Sequence, residues 1–437
     1  MSNTAALARP WWMPLGLSLL GLSLLGACRP AEPRANPSST DVLGLGGAGG
    51  ADGGDGGDGG ADGGEDTGET PEVEPVRWTV LVYMNGDNNL ESYVIHDLNE
   101  LEAGGEGEGV RVLVQADRID GYVDGDGDWT GARRYEMIGD DDLDVVRSPV
   151  LTEMGEIDMG DPAELAAFLA WGRETAPADH YALFLWNHGD SWTVAPPPPS
   201  ISSDDTSGNW ISIAEGELQQ GLASFVAAEG PIDLIGFDAC YMASFEVAHS
   251  LRDQAEVMLA SEAWVGGEGV LYTPLLQALR AEPELPLLEL ASRAASLSVE
   301  EGNERTFSAV DLRYMDDVAA GLDALAELGL SGPEGRAEVE TALSVARGAD
   351  PDYPRWYLDL GDLGAVSPTD RSGPLLEAMD IAVAGAFGNG RYDWTSGLTV
   401  FTDLDYPGYL TMYSEGAGAT WAQETRWDEL LIELAAD

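Results

Sequence analysis

Residues 232–246 read IDLIGFDACYMASFE. The run from Ile232 to Phe237 is short and largely apolar, and it stops at Asp238-Ala239-Cys240. Apolar residues at successive positions, rather than alternate ones, suit a strand buried on both faces of a parallel sheet. Cys240 then falls just past the end of that strand. It is the only cysteine beyond Cys28.

Outward from this stretch the same texture recurs at WTVLVYM (78–84), VRVLVQA (110–116), YALFLW (181–186) and EVMLAS (256–261). Helical patterns separate the runs. In 88–102 the apolar residues Leu90, Val94, Leu98 and Leu101 share one face, and 162–174 and 214–228 repeat the pattern. Asn88 with Glu91 three residues later has the form of a capping box, which starts a helix there. The alternation predicts an α/β fold, a three-layer α/β/α sandwich with a mainly parallel central sheet. Further on, 305–312 and 390–404 each suggest one more strand, and 315–328 and 419–436 suggest helices. Pattern alone does not place these later elements, so 283–437 is the least defined part of a domain expected to span 76–437.

Composition excludes several functions. The 437 residues carry a net charge of -57, and every one of the 21 basic residues is arginine. Without lysine there is no phosphate-binding loop of the Walker type, no Schiff-base lysine and no lysine base. Residues 76–437 keep 67 acids against 18 arginines, a charge of -49, so the acidity belongs to the folded part. Such a surface repels nucleic acid, which needs a basic footprint. It solubilises the chain, and it also concentrates cations.

The first 28 residues hold one positive charge and an apolar run from Trp11 to Ala27, the form of an export signal. Their close, Leu25-Gly26-Ala27-Cys28, resembles a bacterial lipobox, which implies a lipid on Cys28 and attachment to a membrane. Arg29, in place of aspartate, points to outer-membrane sorting and a periplasmic or cell-surface position. Residues 29–75 are dominated by glycine and aspartate and cannot bury a core, so a disordered tether is expected.

The four histidines can be weighed singly. His96 and His249 lie in helical patterns and His180 precedes a strand, which are structural positions. His188 follows the strand run 181–186 in Asn187-His188-Gly189-Asp190. Residues just past the carboxyl ends of parallel strands line the functional crevice of such sheets. His188 and Cys240 could therefore meet at one sheet edge as a thiol–imidazole pair. Gly189 would let its N–H approach a substrate carbonyl and form an oxyanion hole with the N–H of Cys240.

The series YMNGDNNLE, WTGARRYEM, GEIDMGDPAELAAFL, PADHYALFLWNHGDSW and GFDACYMASFEVA resembles the clostripain-like cysteine peptidases. The match covers most of 78–270, with weaker echoes at 357–363 and 425–431. Its specific part is the ordered histidine and cysteine segments, 52 residues apart. The resemblance implies a caspase-like fold, His188 as base, Cys240 as nucleophile, and cleavage of proteins or peptides after arginine or lysine. No cofactor is needed for that chemistry. A catalytically silent, caspase-like surface module that binds proteins is the alternative.

Cleavage after a basic residue requires an acidic pocket. Asp238 is two residues before Cys240, so on a strand the two side chains point the same way. A second acid is expected on the loop after the next strand, Glu268 first and Glu262 second. Many relatives cut themselves at a basic residue between the histidine and the cysteine. Residues 189–239 contain no arginine or lysine, so an uncut chain is expected, or else a cut made by a different protease. Some relatives need calcium. Asp124, Asp126 and Asp128 have alternate, ligand-like spacing, but the full loop signature is missing and a solvated acidic turn is the reading.

Overall fold

The structure is a computed structural model, and it describes residues 76–105, 107–193, 200–351, 356–404 and 407–436. The signal and Cys28, the tether, and the Pro-rich stretch 196–199 lie outside the described residues.

A nine-stranded sheet forms the middle layer. Its strands are β1 (Val76–Gly86), β2 (Val110–Arg118), β3 (Ala132–Glu136), β4 (Val150–Gly155), β5 (Ala178–Trp186), β8 (Ile232–Asp238), β9 (Ala255–Ala260), β10 (Thr306–Asp311) and β12 (Val383–Gly388). Two small ribbons stand apart, β6 (Ile201–Asp204) with β7 (Asn209–Ile211), and β11 (Tyr357–Asp359) with β13 (Thr399–Phe401). The order across the large sheet is β12-β10-β9-β8-β5-β1-β2-β3-β4. The five strands read from their apolar runs are its parallel centre, and every strand outside them pairs antiparallel.

Parity along β1 shows how the layers form. Trp78, Val80, Val82 and Met84 pack on one face, and Leu81 and Tyr83 on the other. The first face is covered by α1 (Glu91–Gly104), α5 (Tyr272–Ala281) and α6 (Leu287–Glu300). The second is covered by α2 (Pro162–Thr175), α3 (Glu217–Glu229), α4 (Phe245–Leu251) and α7 (Met315–Leu330). This is the expected three-layer sandwich. Among the described residues no helix is long and apolar enough to cross a membrane.

Three local expectations are corrected. The capping box does not form: Asn88 Oδ1 accepts the N–H of Leu90 at 2.8 Å, but Glu91 turns to the guanidinium of Arg118. The buried charge of Arg118 outcompetes the cap for the Glu91 carboxylate. The strand within 390–404 is real but joins β11 in its own ribbon. The closing helix is broken into Thr420–Glu424 and Trp427–Ala435, with the chain extended at Thr425.

The C-terminal part is bound closely to the centre. Thr399 N–H donates to Ala243 O at 3.0 Å and Phe401 N–H to Glu246 at 2.9 Å. Trp192, just after the His188 turn, is fully buried against Phe401, Tyr413 and Trp421 at ring separations of 4.9, 4.9 and 6.1 Å.

Candidate active site

β5 and β8 are adjacent, with Trp186 opposite Asp238. Beyond that pair the N–H of Asn187 donates to Asp238 O at 3.2 Å. The next residues are His188 and then Gly189, where a Cβ would lie 2.5 Å from the carbonyl oxygen of Cys240. The chain segments holding the imidazole and the sulfur are thus in contact, and only glycine fits between them. Tyr241, directly after Cys240, has φ +62, a left-handed conformation uncommon for a bulky residue. The turn is held by Tyr241 N–H to Ala263 O at 3.0 Å.

Both side chains are nearly covered, His188 at 5% and Cys240 at 1% exposure. Nε2 of His188 lies 2.6 Å from Asn89 Oδ1. An amide oxygen only accepts, so Nε2 carries the hydrogen and Nδ1 keeps its lone pair. Nδ1 is buried and makes no hydrogen bond. Burial pushes the His188 pKa down to about 4, so the resting imidazole is a neutral base. The sulfur of Cys240 lies 3.3 Å from the N–H of Val265. Nucleophilic chemistry at this sulfur belongs to the reduced thiol.

A narrow cavity opens beside Cys240. Asp238 and Asp97 lie in its lining, together with Trp186, Tyr93 and Val265. Asp238 accepts the N–H of Val270 at 3.1 Å. Asp97 comes from α1 and accepts Trp186 Nε1–H at 2.5 Å, while its Oδ1 is buried without a partner. Burial raises both carboxyls, Asp238 to about 8, and Asp97 is raised further by the charge of Asp238. Two buried acids in one cavity favour a cation there.

Asp238 is therefore at the expected place, but the two glutamates are not. Glu268 stands between Gly267 and Gly269 with its side chain 62% exposed, 4.0 Å from His96. The glycines explain this. A Cβ at 267 would meet Tyr93 at 2.4 Å, and at 269 it would meet Asp238 at 2.1 Å, so the loop lies flat against the cavity and its one long side chain points away. Glu262 is buried elsewhere, accepting from Thr395 Oγ1 at 2.5 Å and from Gly397 N–H. The second acid in the cavity lining is Asp97. Its signal was an acidic residue inside the apolar stripe Val94, Leu98, Leu101 of α1. Asn89 and Glu304 were also unread. Glu304 holds the cavity loop through Gly266 N–H at 2.6 Å and Gly269 N–H at 3.1 Å.

The other histidines have structural partners. His180 Nδ1 lies 2.6 Å from Asp233 and its ring stacks on Trp78, and His249 Nδ1 lies 2.8 Å from Thr420 Oγ1. The loop around Asp124–Asp128 is organised by Arg118, whose guanidinium donates to Val123 O at 3.0 Å and Gly125 O at 3.2 Å. A bound arginine thus fills the middle of that turn.

The many raised carboxyls have a consequence for stability. Asp238 titrates near 8, and Glu100, Asp190, Glu246 and Glu304 near 7, each raised chiefly by burial. An acid whose folded pKa exceeds its unfolded value stabilises the fold below the unfolded pKa, and that contribution is lost as pH rises through the folded value. The melting temperature is therefore expected to be highest near pH 5 and to fall continuously to pH 8.5. Calorimetry across that range checks this, and a melting temperature that climbs with pH would refute it.

The sequence profile of the clostripain family matches residues 82–348. The clostripain of Hathewaya histolytica is 22% identical over 80% of this chain and 79% of its own. Among solved structures, a secreted C11 cysteine protease from Bacteroides thetaiotaomicron with an irreversible peptide inhibitor aligns with TM-score 0.63 at 21% identity, over 81% of this chain and 99% of that one. An inactive zymogen C11 protease from Parabacteroides distasonis aligns with TM-score 0.60 at 19% identity, over 82% and 99%.

Proposed function

Because the chain belongs to the clostripain family of cysteine peptidases, we propose that it cleaves proteins or peptides after arginine, and secondarily lysine, with Cys240 as nucleophile and His188 as base. The observation that carries the basic preference is the cavity beside Cys240 with Asp238 and Asp97 in its lining. A guanidinium is planar, always charged and well matched to carboxylates, which favours arginine over lysine there.

The proton path follows from the tautomer. Reduced Cys240 gives its proton to Nδ1 of His188, and the sulfur attacks the substrate carbonyl carbon. The oxygen gains negative charge and takes hydrogen bonds from the N–H groups of Gly189 and Cys240. The intermediate collapses to a thioester, and the leaving amine takes the proton back from His188. Water, deprotonated by His188, then attacks the thioester and releases the carboxylic acid and the thiol. Asn89 is a positioning residue that fixes the imidazole.

Cys28 is read as the lipid-bearing residue, so the peptidase is exported and held at the outer membrane by its tether. No cofactor enters the cleavage itself.

The test is a panel of fluorogenic peptides differing only at P1, assayed in reductant beside a His188→Ala variant. Arginine is expected to exceed leucine by about 10³-fold in kcat/KM, with lysine between them. Equal turnover of the leucine and arginine peptides would refute the basic preference. A fully active His188→Ala would refute the base.

A further inference from the structure

Glu262, the acid that does not reach the cavity, is buried between Ser261 and Ala263. Both neighbours hold the turn that carries Cys240. Ser261 O accepts the N–H of Ala243 at 2.9 Å, and Ala263 O accepts that of Tyr241 at 3.0 Å. The turn needs such support, because Tyr241 is kept at a positive φ that a bulky residue disfavours.

The hydrogen bonds of Glu262 can be counted in full. Its Oε1 accepts from Thr395 Oγ1 at 2.5 Å and from the N–H of Gly397, while no donor reaches the buried Oε2. The carboxyl of Asp359 is hydrogen-bonded to that of Glu262. Asp359 has donors of its own. Its Oδ1 accepts Asp362 N–H at 2.6 Å and Ser396 Oγ at 2.8 Å, and its Oδ2 accepts Ser396 N–H at 2.7 Å. Two carboxyls bond to each other only through a proton, and the one with an unserved oxygen keeps it. Glu262 is therefore the acid, with Oε2–H donated to Asp359. Burial, and then the charge of Asp359, raise the Glu262 pKa well above its ordinary value. Burial raises Asp359 too, but its three donors oppose the rise.

The charged neighbours do not replace that proton. Arg347, which feels Asp359 and Asp393, donates to Asp362 at 3.0 Å. Arg305 lies over Trp264 at 4.5 Å and donates to Asp350 at 2.9 Å. Glu304 takes amides at the far end of the same loop.

We propose that Glu262 is a positioning residue for Cys240, and that its protonated carboxyl, bonded to Asp359, fastens the nucleophile turn to the ribbon of β11 and β13. Asp359 ends β11, and Thr399 of β13 donates directly to Ala243 O, so the ribbon reaches the turn by two routes. The proton makes the first route attractive where two charges would repel. The effect on cleavage rests on Cys240 as nucleophile, whereas the proton-bridged pair does not.

Glutamine has the hydrogen-bonding form of the protonated acid, with an oxygen to accept and an N–H to donate. Glu262→Gln and Glu262→Ala are made in the full chain. Melting and cleavage of an arginine-P1 peptide in reductant are followed from pH 5 to pH 8. An acid protonated in the fold but ionised in the unfolded chain loses its stabilisation as pH climbs from the unfolded toward the folded pKa. Wild type and Glu262→Gln should melt together near pH 5, and the glutamine form should gain about 2 °C on wild type per pH unit above that. Glu262→Gln should keep kcat and KM within about twofold, whereas Glu262→Ala should lose about 10–100-fold in kcat with KM little changed. A melting gap that is constant with pH overturns the bridging proton. Normal kcat in a folded Glu262→Ala overturns the positioning role, and so does a Glu262→Gln as impaired as the alanine form. If the alanine form does not fold, Glu262→Met, which fills the volume without donor or acceptor, takes its place under the same criteria. A wild type that cleaves nothing removes the positioning role along with the Cys240 reading, and the melts still decide the proton.

Discussion

Cys240→Ala is expected to lower kcat/KM on an arginine-P1 peptide by at least about 10⁴-fold, with the protein still folded. No other group near the cavity can form the thioester. The fold should survive because Cys240 is one small side chain within a large cluster that includes Leu234, Val257 and Val265. Losing one sulfur there costs about 1 kcal/mol, as for other small core truncations. Cys240→Ser is expected to be nearly as inactive. His188 is a neutral and weakened base, and a hydroxyl gives up its proton far less readily than a thiol. Kinetics with matched thermal melts check both variants. Retention of even a tenth of the activity by the alanine form would remove Cys240 from the mechanism.

The second large effect is on selectivity. Asp238→Asn should lower kcat/KM for arginine-P1 peptides by about 10²–10³-fold, because the substrate cation would lose a buried charged partner, a loss of about 3–4 kcal/mol. Cleavage after leucine should be unchanged or improved. Asparagine keeps an oxygen for the N–H of Val270, so the strand end should hold its shape. A structural role alone would not separate the two substrates. The variant is also expected to melt higher than wild type at pH 8, since a costly buried ionisation is gone. Asp97→Asn should act in the same direction, and the double variant should lose the preference altogether. Equal losses on arginine and leucine peptides in Asp238→Asn would sink the specificity reading.

Acids so deeply buried also bear on how the thiol is activated. An ionised Asp238 beside Cys240 would hold the thiol proton on. With its carboxyl raised to about 8, Asp238 is mostly neutral before substrate arrives, and under the proposed preference an arginine guanidinium would ionise it.

The central strands were legible because burial on both faces leaves continuous apolar runs, and these became β1, β2, β5, β8 and β9. The edges were not. ARRYE in β3 is polar on its open side, and VAGAFG in β12 is mostly small residues, so neither carries a period. The sense of β10 was hidden for a related reason: strand direction depends on connections, which hydropathy does not encode. At the site, strand ends could be read but depth could not. Asp238 was found by parity with Cys240. The direction of the Glu268 side chain was not legible, because the glycines at 266, 267 and 269 let backbone lie against Tyr93, Glu304 and Asp238. Asp97 sits 141 residues before Asp238, and only the folding of α1 against the sheet, where Trp186 donates to Asp97, unites them. The family match answers the choice between peptidase and silent module at the level of class.

The aromatic group around Trp192 sets how this protein can be divided. The family profile ends at residue 348, yet Phe401, Tyr413 and Trp421 form the wall behind the turn that carries His188. Trimming the chain to its recognisable portion would expose an indole and strip support from the base. The 89 residues after 348 include this buttress, and a minimal version of the enzyme has to keep it.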